Sequence, residues 1–287
     1  MRLVKLYSGM ELLERCIRFY RPIVVFGLFS GGDDSLTSTD IASKHPEFTC
    51  AATMDTGTAI PETLEFIKRT CRERKWKHRM KSAAEAGQDY EQLVCEYGFP
   101  GPAMHYKMYQ RLKERPLRML VREAKQGWVV SLPWEIQAST TARALKNKAK
   151  VLLVTGVRSQ ESERRMGYVR PVQVEGSIVW CAVIHDWSKR NCLDYIEANG
   201  IERSPVAQLI HRSGECNCGS FAQPDEAKEV RYWYPKFGEW IDRLQEKVRA
   251  AGKPCRWGER PLGTGKLTKK QREKMMMCQG CVLREGA

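Results

Sequence analysis

The sequence predicts an α/β protein, a doubly wound and mostly parallel sheet with helices on both faces, followed by a small cysteine-containing C-terminal region. Three observations carry this. Short continuous apolar runs recur at Ile23–Leu28, Phe48–Met54 and Val151–Val157, without the polar alternation of a half-exposed strand. Helical patterns separate the first runs in β-α-β-α order, and a glycine pair follows the first run directly, as a strand-to-helix turn requires.

Met10, Leu13, Ile17 and Tyr20 recur at helical spacing, so an amphipathic helix opens the chain. Ile23–Leu28 is then a buried strand. After the second strand, Pro61 suits a first helical position, and Ile60, Leu64, Ile67 and Cys71 share one face. Trp76–Met80 predicts a short third strand, Gln88–Tyr97 a helix, and His105–Gln126 a long helix broken or bent at Pro116. Val151–Val157 and Ile178–Ile184 are further strands, and Ser188–Asn199 is a helix capped by Asp186 or Ser188. Beyond Ser204-Pro205, cysteines, glycines and prolines replace the strand-helix alternation, so the domain boundary is placed at 205, giving regions 1–205 and 206–287. Tyr232–Ala250 predicts one more helix with Trp233, Phe237, Trp240, Leu244 and Val248 on its apolar side, and Pro235 in its first turn; Gly252–Lys270 reads as loop.

At 287 residues, 42% hydrophobic and 29% charged, the chain carries enough apolar side chain for a packed core, which excludes disorder throughout. No apolar run approaches the roughly 20 residues of a membrane span, and Glu11 and Glu14 stand where a signal peptide is apolar, so the expected location is cytoplasmic, away from the membrane. Forty-eight basic against 34 acidic residues give a formal charge of +14, which attracts polyanions: a polyphosphate nucleotide or a nucleic acid. In a reducing compartment the 11 cysteines point to core thiols plus a metal site. Cys216/Cys218 and Cys278/Cys281 are the two tight pairs, and four thiolates in two pairs suit a soft metal.

Ser30-Gly31-Gly32-Asp33-Asp34-Ser35 lies between the first strand and a helix, where backbone N–H groups and the helix N-terminus converge on a phosphate. A carboxylate among phosphates is suited to Mg²⁺. This segment resembles the SGGxDS signature of the PP-loop ATP pyrophosphatases, or adenine nucleotide α-hydrolases. Three further segments resemble the PAPS reductase-like branch of that superfamily: Met54-Asp55-Thr56-Gly57 with Ile60-Pro61-Glu62-Thr63, Gly156 to Arg165 (GVRSQESERR), and Ile184-His185-Asp186-Trp187 leading to Asn199-Gly200-Ile201. Together they span about residues 23–205.

The resemblance implies ATP, or PAPS or APS, as the nucleotide, held with Mg²⁺. Ser30, Gly31, Gly32, Asp33, Asp34, Ser35, Asp55, Thr56, Gly57 and Gly156 would bind it, and Asp34, Arg158, Arg164 and Arg165 would act on its phosphate or sulfate oxygens. It also implies a [4Fe-4S] cluster on Cys216, Cys218, Cys278 and Cys281, with Zn²⁺ open because ligand type alone does not separate the two. The family's reductases use a C-terminal E-C-G-L-H tail, and this chain ends Cys278-Gln279-Gly280-Cys281-Val282-Leu283-Arg284-Glu285-Gly286-Ala287 instead. Sulfonucleotide reduction therefore stands second to adenylation of an acceptor, in sulfur transfer from a donor protein or in nucleic-acid modification. A third implication is an accessory nucleotide-binding role in a defence or mobile-element system, such as a type IV CRISPR locus.

Four basic clusters, at 68–81, 111–122, 143–150 and 266–274, read either as solvated faces or as a surface for nucleic acid or a ribonucleoprotein. Nothing in the sequence decides the oligomeric state.

Overall fold

The computed structural model describes residues 2–101, 104–137, 140–159, 170–222, 225–253 and 256–258. Six strands, five of them in the expected order and β5 in addition, alternate with helices: α1 (Arg2–Tyr20), β1 (Val24–Leu28), α2 (Asp33–Ser43), β2 (Phe48–Asp55), α3 (Pro61–Glu73), β3 (His78–Ser82), α4 (Tyr90–Tyr97), α5 (His105–Tyr109), α6 (Arg115–Val130), α7 (Trp134–Gln137), α8 (Thr140–Lys148), β4 (Val151–Val154), β5 (Val172–Glu175), β6 (Ile178–Cys181) and α9 (Lys189–Ala198). Three further helices follow: α10 (Pro205–Leu209), α11 (Glu226–Trp233) and α12 (Pro235–Ala250).

The six strands form one sheet in the order β3-β2-β1-β4-β6-β5. All neighbours run parallel except β5, which pairs with β6 in antiparallel register, Val172 opposite Cys181 and Glu175 opposite Ile178. The order reverses direction between β1 and β4, the switch point at which an open α/β sheet forms a crevice outside its strand carboxyl ends.

The apolar runs are continuous because both faces of the strands are buried. Val25, Ala51, Leu152, Val154 and Val179 face one core with α1, α2, α3 and α9, while their neighbours Phe26, Ala52, Leu153 and Trp180 face a second core with Leu117, Leu120, Val121 and Ala124 of α6. A third cluster joins α4, α10, α11 and α12 through Leu93, Val206, Val230, Ile241 and Leu244, closed by Trp257. Among the described residues, no helix is long and apolar enough to cross a membrane.

Several expectations are corrected in detail. The long helix is interrupted just before Pro116 rather than at it: Gln110–Glu114 forms a π-helical turn upstream, and Pro116 lies in the first turn of α6. Proline lacks an N–H and its ring crowds the carbonyl four residues back, so the wider turn, closed by the Arg115 N–H on the Gln110 carbonyl, absorbs the defect. The helix expected at 232–250 is two helices. Pro235 starts α12, Tyr234 breaks the chain, and Trp233, at 44% exposure, leaves the apolar face assigned to it. β4 and β6 end at Val154 and Cys181, three residues short of the runs that announced them. The hairpin strand β5 was not anticipated, although Val-Gln-Val-Glu alternation before Gly176, at φ +59°, is its signal. The cap of α9 is Ser188 rather than Asp186, in a capping box with Asn191.

Candidate functional site: the loop between β1 and α2

The chain leaves β1 into Ser30–Gly32 and enters α2 at Asp33. Gly31 adopts φ +79°, and a Cβ there would lie 3.0 Å from Thr63 Cγ2 of α3, so the left-handed turn and the close packing both favour glycine. Ser35 ties the turn together: its hydroxyl accepts from the Ser30 N–H at 3.2 Å and donates to the Gly32 carbonyl at 2.9 Å. Gly156, just past β4, lies so close that a Cβ would come within 2.6 Å of the Asp34 carbonyl carbon. The two strands at the switch point thus hold the loop between them.

Three basic side chains converge on the first turn of α2. Arg158 donates Nε–H to Asp34 Oδ2 at 3.0 Å, and Lys189 reaches Asp34 Oδ1 at 3.3 Å and Asp33 Oδ2 at 3.0 Å. Arg203 grips both Asp33 oxygens, at 3.0 and 2.9 Å. Burial raises the Asp33 pKa, but Arg203 and Lys189 outweigh it and hold the carboxyl below its ordinary value. The same two aspartates raise that of Lys189 against the opposing effect of burial. Two adjacent carboxylates in a first helical turn favour the helix dipole, and three cations complete their neutralisation.

Beside this loop, Asp55 ends β2 and accepts the Gly57 N–H at 2.9 Å, with Gly57 at φ +71°. Thr56 is buried; its hydroxyl donates to the Glu215 carbonyl at 3.0 Å and meets Thr58 Oγ1 at 2.9 Å. The segment after α10 docks onto this turn. Ile60 N–H donates to the Gly214 carbonyl at 2.9 Å, and Asn217 donates N–H to Thr58 Oγ1 at 3.0 Å and Nδ2–H to the Thr58 carbonyl at 2.9 Å. A Cβ on Gly32 would lie 3.1 Å from Ser213 Cβ, so the same segment abuts the phosphate-type loop.

Cys216 and Cys218 therefore stand next to the Asp55 turn. Their thiols are hydrogen-bonded, which, with the charge of Lys113 against burial, brings the Cys216 thiol down to about 5. Lys113 pairs with Glu215 at 2.7 Å, both nearly fully buried, while burial pushes the Glu215 carboxyl up to about 7. Around this pair, Glu215 Oε1, Asn217 Oδ1 and both ring nitrogens of buried His105 have no hydrogen-bond partner among the described residues. Two adjacent thiols with a favoured thiolate fit half of a soft-metal ligand set. Among the described residues no group of three or more His, Cys, Asp or Glu is placed to hold a metal ion.

The expected loop residues Ser30, Gly31, Gly32, Asp33, Asp34 and Ser35 thus assemble with Gly156 and Arg158, and Asp55, Thr56 and Gly57 lie at the neighbouring strand end. Arg164, Arg165, Cys278 and Cys281 lie outside the described residues. Lys189, Arg203, Lys113 and Glu215 were not anticipated. Lys189 lies two residues beyond the Ile184–Trp187 segment and could have been suspected; Arg203 carries no local signal.

A parallel switch-point sheet with a glycine-rich loop leading into α2 defines a nucleotide-binding type of α/β protein. The model of the phosphoadenosine phosphosulfate reductase domain matches residues 24–218, and the chain belongs to that family. No curated protein matches it. Similar solved structures include phosphoadenylyl-sulfate reductase from Candida auris in a phosphate complex, 15% identical, covering 70% of this chain and 84% of that one at a TM-score of 0.47. Another is FMN adenylyltransferase from Candida glabrata with FAD and inorganic pyrophosphate, 10% identical, covering 72% of this chain and 61% of that one at a TM-score of 0.44.

Proposed function

We propose that the chain binds an adenine nucleotide at Ser30–Ser35 and adenylates an acceptor. The observation supporting this is the meeting of a glycine-rich helix N-terminus with Arg158 and Lys189 at the switch point. Loop N–H groups bind phosphate oxygens. Arg158 and Lys189, which neutralise Asp34 in the free chain, turn to the phosphates, joined by Arg164 and Arg165, and stabilise charge developing at the α-phosphate. An acceptor oxygen attacks the α-phosphorus, the bond to the bridging oxygen breaks, and pyrophosphate leaves. Mg²⁺, when bound, adds positive charge on the leaving phosphates, and the released Asp34 carboxylate would hold it. Asp55, Thr56 and Gly57 shape the crevice wall for the nucleoside.

In this reading the nucleotide unit is 1–205, and 206–287 carries a thiolate centre on Cys216, Cys218, Cys278 and Cys281. An iron-sulfur cluster or zinc there would supply a soft Lewis-acid or electron-carrying site for sulfur transfer. The test is release of pyrophosphate from ATP with Mg²⁺ and candidate acceptors, together with transfer of the labelled adenylyl group to the acceptor. Absence of any nucleotide binding overturns it.

The low-pKa thiol of Cys216 beside the Asp55 turn favours a second reading, attack of that thiolate on the sulfur of PAPS or APS. The sulfur-oxygen bond breaks, the nucleotide leaves, and an added thiol reductant then releases sulfite. Thiol-dependent sulfite release from PAPS or APS, abolished by Cys216→Ser, identifies it.

A further inference from the structure

Of the four basic clusters of the sequence, that at 266–274 lies outside the described residues; those at 68–81 and 111–122 differ in the folded chain. In 111–122, Arg111 donates to Gln88, Lys113 is buried on Glu215, and Arg118 pairs with Glu114 and Glu175. In 68–81, Arg69, Arg74 and Lys81 also have carboxylate partners, on Glu202, Asp40 and Glu85 respectively. Lys68, Arg72, Lys75, Lys77 and Arg79 differ. All five are exposed, and none pairs with a carboxylate among the described residues.

These five wrap the outer edge of the sheet. Lys68 and Arg72 lie one turn apart on α3, and Lys75 directly follows its C-cap, Arg74. β3 is the edge strand, and its register sets Arg79 opposite Ala52, on the α6 face, and His78 opposite Ala51, on the α3 face. Lys77 and Arg79, two residues apart, share the face opposite to α3. Lys75, at φ +55°, turns the chain between the two groups.

We propose that this edge binds the phosphate backbone of a nucleic acid. The five charges extend along the later turns of α3 and the start of β3, a span on the order of 15 Å at about 1.5 Å rise per helical residue. Strand phosphates repeat about every 3.4 Å along a duplex axis, so such a stripe meets several at once, whereas a free nucleotide meets one or two cations. No large hydrophobic side chain is exposed between residues 61 and 89, so the edge offers nothing to insert into a bilayer. The surface is distinct from the nucleotide loop. α3 packs Thr63 and Ile67 against Gly31 and then runs away from it, which carries Lys75, eight residues past Ile67, about 12 Å further along the helix axis. The inference therefore stands on the charges alone, independent of the nucleotide reading.

The test is binding of a labelled 20-nucleotide single strand, and of the matching duplex, to the full chain across a salt series. Five phosphate contacts on a single strand predict a loss of about 30–60-fold for a threefold rise in salt. Arg72→Glu/Lys77→Glu/Arg79→Glu should weaken binding at least tenfold and flatten the salt slope. Lys228→Glu/Lys236→Glu/Arg243→Glu, the same charge change on α11 and α12, should retain most of the affinity. Lys68→Gln/Lys77→Gln repeats the test with a milder change if the triple variant fails to fold. Asp34→Ala should bind nucleic acid as the parent does, which separates this surface from the nucleotide site. Equal losses in both triple variants, no salt-dependent binding by the parent, or capture only by vesicles containing phosphatidylserine would each overturn the proposal.

Discussion

Arg158, two residues beyond Gly156 on the loop leaving β4, donates its Nε–H to Asp34 in the first turn of α2 at 3.0 Å. This ion pair bridges the switch point, because β1 and β4 are neighbours running in parallel. Asp34→Ala should weaken Mg²⁺-dependent ATP or PAPS binding by tenfold or more, and Arg158→Gln should do the same through the opposite partner. Isothermal titration reads both. Parent-like affinity in folded Asp34→Ala removes the loop from the nucleotide site.

Gly156→Ala tests the geometry rather than the charge. The new methyl would lie 2.6 Å from the Asp34 carbonyl carbon, and backbone at that distance has to shift. Overpacking of this kind costs about 1–3 kcal/mol. Chemical denaturation should show that loss together with weakened nucleotide binding, since the displaced turn is the one that presents the loop N–H groups. A variant as stable as its parent would mean the approach is looser than described.

Asp33 gives a pH-dependent signature. Its folded-state pKa is below the ordinary carboxylate value, since Arg203 and Lys189 outweigh the opposing effect of burial. The stability it contributes is thus fully present above its unfolded pKa of about 3.9 and is lost as pH falls through the folded value. Asp33→Asn should therefore cost about 1–3 kcal/mol at pH 7, with the gap to the parent closing below about pH 4. Melting curves across pH 3–8 check it; a gap that widens in acid contradicts the pairing.

Cys216 and Cys218 should bind metal together with Cys278 and Cys281. Anaerobically purified protein should contain either iron and sulfide with broad absorbance near ~400 nm, or zinc without colour. Cys216→Ser should lower the metal content by at least half. Parent protein that is metal-free after anaerobic purification excludes the centre.

The residues that share a purpose over a short stretch were legible in the sequence. The buried strands announced themselves because a strand covered on both faces has no polar alternation, and Ser30–Ser35 because a tight turn into a helix needs glycine where φ is positive, as at Gly31. The family resemblance arises from the same local segments, and the match to residues 24–218 agrees with it. What only the tertiary structure decided is where charges come to rest. Lys189 and Arg203 lie about 155 and 170 positions from the aspartates they neutralise. Lys113 looked like one more cation in a basic helix, yet it is buried on Glu215, about 100 residues away. Lys68, Arg72 and Lys77 look the same in sequence and stay in solvent. Charge is visible residue by residue, whereas its partner and its burial depend on chain reversals that bring distant segments together, and no local spacing encodes those.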